Sequence, residues 1–237
     1  MKKIITLFTL VFLVQMSFGQ ALNETFDDAS GFTSSEAFFS DGGGDFYGLG
    51  GVGDWGAGSA PSGLKAYTGF SGGFLTGMDL DGDGATVPIV VDWTGIDISG
   101  LASLEFSGDF AEFFDSPGDI DAANDIILVQ YQIDGGGYQN LIAFEGDESN
   151  GNFNGNFSED TNFDGIGDGT VLTGTAETFI KSIAGTGTTL DLRLTVSVDA
   201  GDEDFAVDNF IVSGLGSGNP PSISCPMDIT VPNDAGV

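Results

Sequence analysis

The sequence predicts an all-β protein, a two-sheet antiparallel sandwich of the jelly-roll kind, and three observations predict it. Over residues 190–198, Leu190, Leu192, Leu194, Val196 and Val198 alternate with Asp191, Arg193, Thr195 and Ser197. A strict period of two turns one side of a strand to a core and the other to water. Residues 126–133 (IILVQYQI) run into Asp134-Gly135-Gly136-Gly137, a hairpin turn signal, after which Tyr138 to Phe144 returns. No window carries a helical period with caps.

The remaining elements follow from the same pattern. Strands are expected at Leu22–Phe26, Leu64–Phe70, Val87–Trp93, Ser103–Gly108, Thr178–Ile183 and Phe205–Val212. That makes about ten strands joined by Gly- and Asp-rich loops, the layout of stacked sheets. Residues 40–63 are rich in glycine and read as a long loop or a short irregular strand pair. Residues 145–170 read as a second long loop, and long ordered loops often carry function. In 205–212 the apolar phase slips by one, from Phe205 and Val207 to Phe210 and Val212. The slip at Asp208-Asn209 predicts a β-bulge.

The two ends read differently. Lys2 and Lys3, the apolar run Ile4 to Val14 and the small residues Ser17 to Gln20 have the layout of a secretory signal peptide over 1–20, which predicts a secreted or cell-surface protein. That run is too short to span a bilayer, and no later segment is long and apolar enough to insert. The sandwich is assigned to 21–214 and a linker, LGSGNPP, to 215–221. The start of another β domain follows over 222–237.

Charge bounds the function. The chain has 36 acidic residues against 5 basic ones and no histidine. Without the signal segment only Lys65, Lys181 and Arg193 remain to pair with the acids. Such a surface repels nucleic acid and anionic membranes and attracts divalent cations. The absence of histidine removes histidine-based acid–base, triad and zinc chemistry. The lone Cys225 cannot form an internal disulfide.

Three acidic constellations predict calcium as a cofactor. Asp160, Asn162 and Asp164 stand at positions 1, 3 and 5 of a loop, Gly165 at the bend and Asp168 at position 9. That is the first part of an EF-hand-type loop, although Val171 stands where the bidentate Glu would be. The spacing resembles the calcium loops of thrombospondin type 3 repeats. The alternative is an Asp/Asn/Gly turn that caps its own backbone. Asp79, Asp81 and Asp83 alternate in a second such loop, which is either a shorter ligand set or part of a site completed from elsewhere. The third set is Glu24 on the first strand and Asp208 at the bulge of the last, with Asp41 or Asp45 as a further ligand. The Glu24 and Asp208 pair resembles the structural calcium site of jelly-roll carbohydrate-binding modules, and solvated acids at strand ends are the alternative.

Among aromatics, Tyr47 and Trp55 in the glycine-rich loop and Tyr138 beside the turn are candidates for stacking on a sugar. For Trp55 the competing reading is a plug that packs on the sandwich edge, and Trp93 reads as core. Catalysis is not expected. Only carboxylate pairs are available, which leaves glycoside hydrolysis, and Glu105, Asp109 and Glu112 are spaced too widely for it.

The tail Asn219–Val237 (NPPSISCPMDITVPNDAGV) resembles the opening of a HYR (hyalin) repeat, through P-P-x-I-x-C-P-x-D-I-T-V. The resemblance implies an incomplete immunoglobulin-like sandwich, extracellular adhesion, and a Cys225 whose partner lies further on. Residues 21–214 resemble, in pattern, jelly-roll carbohydrate-binding and lectin-like modules of secreted bacterial proteins. Together these readings predict a calcium-stabilised extracellular module that binds glycans or cell-surface partners. A spacer domain in a larger surface protein is the alternative.

Overall fold

A computed structural model describes residues 18–113, 120–122, 124–148 and 155–216. The apolar core of the predicted signal segment, Cys225 and the tail expected to open a HYR-like domain lie outside these residues. The described chain forms thirteen strands and no helix.

One sheet has seven strands: β1 (Phe18–Glu24), β3 (Phe39–Ser40), β4 (Phe46–Gly50), β5 (Phe74–Met78), β7 (Leu101–Ala111), β11 (Glu177–Ser182) and β13 (Asp204–Gly216). The other has six: β2 (Thr33–Ser34), β6 (Ile89–Asp97), β8 (Ile126–Ile133), β9 (Gln139–Gly146), β10 (Phe157–Glu159) and β12 (Thr189–Ser197). Every pairing between named strands is antiparallel. The first sheet runs β11-β7-β13-β5-β4-β3, and the second runs β10-β9-β8-β12-β6-β2. β13 is long enough to hold two partners on one edge: Asp204–Val207 pair with β5, and Phe210–Leu215 with β1. The predicted two-sheet sandwich is therefore present.

Strand alternation builds the core. Leu190, Leu192, Leu194 and Val196 of β12 point inward and are fully buried, as are Ile127 and Val129 of β8. Opposite them a phenylalanine cluster fills the interior. Phe110 meets Phe144 at 4.8 Å and Phe210 at 5.6 Å, and Phe26 meets Phe210 edge-on at 5.5 Å. Such offset and edge-to-face contacts are the arrangement aromatic quadrupoles favour.

The connection after β8, residues 134–138, opens on a β-turn, with Asp134 and Gly135 at φ 49° and 71° and Gly136 N–H donating to Ile133 O. Positive φ at both central positions is the hairpin geometry that Asp-Gly supplies. The bulge is also where the phase slip placed it. Asp208 pairs with Asp109 and Ile211 with Ser107, so three steps on β13 face two on β7, and Asn209 takes φ 53°.

Some expectations are corrected. Residues 64–70 form no strand; Thr68 makes only an isolated bridge to Thr175. Its apolar residues pack as a loop, with Tyr67 against Phe70 and Phe74. The glycine-rich segment 40–63 contributes the β3–β4 hairpin, and 145–170 contributes β10. β1 extends back to Phe18, with Phe18 and Gly19 pairing with Leu215 and Gly214.

Candidate binding groove and acidic loops

The outward face of the six-stranded sheet carries a concave surface. Ile126 and Leu128 alternate with the inward Ile127 and Val129 and so face outward; they pair across with Glu145 and Ala143 of β9. The loop after β10 folds back over this patch. The result is a groove of about 310 Å³ lined by these four residues, Asn140, Asp160, Phe163, Asp164 and Gly165. Its floor is apolar and its wall polar, and Phe163 is exposed above it. The loop keeps this shape because Asp160 accepts from three backbone N–H groups: Phe163 (2.6 Å), Gly165 (2.9 Å) and Asn162 (3.2 Å). Burial, and then the nearby Asp160, push the Glu145 carboxyl up to about 7.

The polar face continues past the groove along one cross-strand row. Asn140 pairs with Gln130, Gln130 with Arg193, and Arg193 with Asp92. Gln130 donates to Asn140 at 2.8 Å, and Arg193 grips Asp92 with two bonds of 2.8 and 3.0 Å. The guanidinium lies 4.3 Å from the centre of the Tyr138 ring. Tyr138 is thus on the same face as this row, with its ring occupied by Arg193. Tyr47 and Trp55 are not on it. Tyr47 is fully buried and bonded to Ser34, and Trp55 packs edge-on against Phe46 beside Met78. Neither offers a ring face to a ligand; Trp55 is the plug.

The acidic residues regroup. In the Asp160 loop, Asn162 bonds to Asp164, and Asp168 turns aside to accept from the backbone and hydroxyl of Thr161. Asp79 stands between Asp81 and Asp45, whereas Asp83 is exposed on the turn. Burial, and then Asp45, push Asp79 up to about 6. A Cβ at Gly82 would come 2.6 Å from the Asp45 carboxyl carbon and 2.9 Å from that of Asp79, so only glycine lets these carboxylates meet. Asp45 therefore belongs with the Asp79 loop and not with Glu24 and Asp208. Asp41 is spent on its own turn, accepting from Gly43 N–H.

Glu24 pairs across β1 and β13 with Phe210, two residues beyond Asp208. Both acids are buried, and both carry neighbours the sequence did not single out. Glu24 accepts from Phe26 N–H (2.9 Å) and from the Trp93 indole (3.1 Å). Asp208 accepts from Asn209, whose amide also reaches Asp109 at 2.8 Å. Burial is the main cause that raises Asp208 to about 7, and Asp109, Asp27 and Glu24 add to it. Asp27 and Asp109 were missed because only the folded sheet brings β1, β7 and β13 together. Glu145 and Asn140 were missed because nothing local marks them apart from other strand polar residues.

Glu105 and Glu112 stay far apart. Seven residue steps of extended chain at about 3.3 Å each separate them, and Glu112 is buried, holding Phe157 N–H.

No protein-family model matches the chain, and no curated protein matches it in sequence. Among solved structures it is similar to the CBM22-1 xylan-binding domain of Paenibacillus barcinonensis Xyn10C, at 10% identity and TM-score 0.40, covering 87% of this chain and 100% of that one. It is also similar to the K3 cleaved adhesin domain of the Lys-gingipain of Porphyromonas gingivalis W83, at 14% identity and TM-score 0.41, covering 83% and 100%. A further xylan-binding domain from CBM 22 matches at 11% identity and TM-score 0.38, covering 85% and 97%.

Proposed function

We propose that this domain is a non-catalytic extracellular module that binds neutral glycans in the groove of its six-stranded sheet. The mixed lining of that groove carries the reading. Sugars present apolar C–H faces and many hydroxyl donors. Ile126, Leu128 and the exposed Phe163 offer the former a surface, and Asn140, Glu145 and Asp164 offer the latter acceptors. The strong negative charge disfavours anionic polysaccharides, which leaves neutral ones.

Calcium is the proposed counter-ion of the acidic loops. The donor set fits a hard cation: oxygen ligands only, with Asp79 held against two other carboxylates. Asp45, Asp79 and Asp81 would hold one ion, Asp160, Asn162 and Asp164 a second, and Glu24 with Asp208 a third. The ion supplies charge neutralisation that keeps these loops folded.

Affinity electrophoresis against a panel of soluble polysaccharides tests the glycan reading. Retardation by a neutral polysaccharide is expected, and Phe163→Ala and Asn140→Ala should each weaken it by about tenfold, or ~1.4 kcal/mol. Retardation that both variants retain in full would place the ligand elsewhere. No retardation by any polysaccharide would favour the spacer reading.

A further inference from the structure

Two loops that the sequence keeps 74 or more residues apart meet at one end of the sandwich. β8 pairs with β12 so that Ile126 faces Ser197, which brings the chain entering β8 beside the chain leaving β12. Asp125 N–H and Asn124 N–H both bond to Asp121 O, a tight turn that puts Asp121 and Asp125 on one side. Across from them Glu203 is held in place, accepting at one oxygen from Asp199 N–H and Ala200 N–H, both at 2.7 Å. One carboxylate oxygen from each of Asp121, Asp125 and Glu203 lies within 4.8 Å of the others.

The cluster alone would be unremarkable on so acidic a protein. Asp125 makes it different. It is fully buried; its Oδ2 accepts from Asp121 N–H, its Oδ1, also buried, receives no N–H or hydroxyl donor, and its carboxyl lies against that of Glu203. An unsatisfied buried carboxylate oxygen is costly, and beside two other carboxylates it is costlier still. Protein cations do not answer it: among the described residues Lys65, Lys181 and Arg193 engage Asp204, Glu159 and Asp92.

We infer that Asp121, Asp125 and Glu203 bind a divalent cation, calcium by preference, that ties the entry of β8 to the turn between β12 and β13. The ligands are all oxygen, as calcium and magnesium require. Calcium accepts an irregular set of carboxylates brought from two separate loops, whereas magnesium demands near-ideal octahedral geometry, so the donor arrangement favours calcium. Water and backbone carbonyls complete the shell. The site does not depend on what the groove binds, and it shares no residue with the three acidic sets above.

The test is titration of the chelator-treated chain with calcium chloride, by calorimetry and by thermal unfolding, beside Asp125→Asn and Glu203→Gln. Each variant should bind one ion fewer. Each should also lose about tenfold of the calcium-dependent shift in the folding equilibrium at 10 mM ion, for a site of about 1 mM affinity. In chelator, Asp125→Asn should be at least as stable as the parent, because an amide replaces a carboxylate that faces others. Unchanged ion number and unchanged calcium response in both variants would overturn the site. Should both fail to fold, crystals of the parent chain grown with manganese decide. An anomalous peak among the three carboxylates supports the site, and ordered carboxylates without one refute it.

Discussion

Glu24 shows how one side chain serves packing and, on the proposal above, an ion as well. Its two oxygens take the Phe26 N–H and the Trp93 indole, both in the core. Glu24→Gln keeps the volume but turns an N–H₂ toward one of these donors. It should cost about 1–3 kcal/mol of stability, measured by denaturant unfolding in chelator. Repeating the measurement with calcium separates the two roles. An equal loss leaves Glu24 purely structural, and a larger loss with the ion makes it a ligand.

At the scale of the element, β13 is the organising strand. Its thirteen residues border β7 along one edge and β5 and β1 along the other, and the bulge lets both halves keep apolar side chains inward. Without the extra residue, either Phe205 and Val207 or Phe210 and Val212 would face outward. Asn209 carries the positive φ that makes this possible. Asn209→Gly and Asn209→Ala both lose the amide that bridges Asp109 and Asp208, but only glycine keeps the backbone unstrained. The alanine variant should therefore be less stable than the glycine variant by about 1 kcal/mol. Equal stabilities would mean the bulge relaxes to an ordinary backbone conformation.

For the whole molecule, the consequence of burying acids without cations is a pH dependence opposite to the usual one. Burial raises Asp79 to about 6, Glu145, Glu203 and Asp208 to about 7, and Asp125 to about 9. An acid whose folded pKa exceeds its unfolded value near 4 holds more protons when folded, so stability falls as pH rises through that window. Hydrogen bonds from Ser30, Ser99, Thr189 and Thr161 instead lower Asp28, Asp97, Asp134 and Asp168, and their support is lost as pH falls below about 4. In chelator the melting temperature should therefore peak near about pH 4 and drop by several degrees toward pH 8, since ~1 kcal/mol moves a domain of this size by about 2–4 °C. Calcium should flatten that fall. A melting temperature that rises from pH 5 to pH 8 in chelator would contradict the burial of these groups.

Strand positions, the hairpin at Asp134-Gly135 and the bulge at Asp208 were legible in the sequence because each is a local matter of side-chain period or of φ. The same holds for composition, which is a sum over residues: the acidic balance and the absence of histidine hold whatever the fold. The segment 64–70 misled because a short apolar run reads alike as a strand or as a loop packed on aromatic neighbours. What only the tertiary structure decided is which residues meet. Asp45 joins Asp79 and leaves Glu24, Trp55 turns into the core, and Asp125 meets Glu203 through the pairing of β8 with β12. Strand order in a sandwich is set by long-range burial, so residues far apart in the chain become neighbours with no trace in local pattern. The all-β sandwich was thus determined by the sequence read locally, and the assembly of the groove and of the acidic clusters by which strands pair within its sheets.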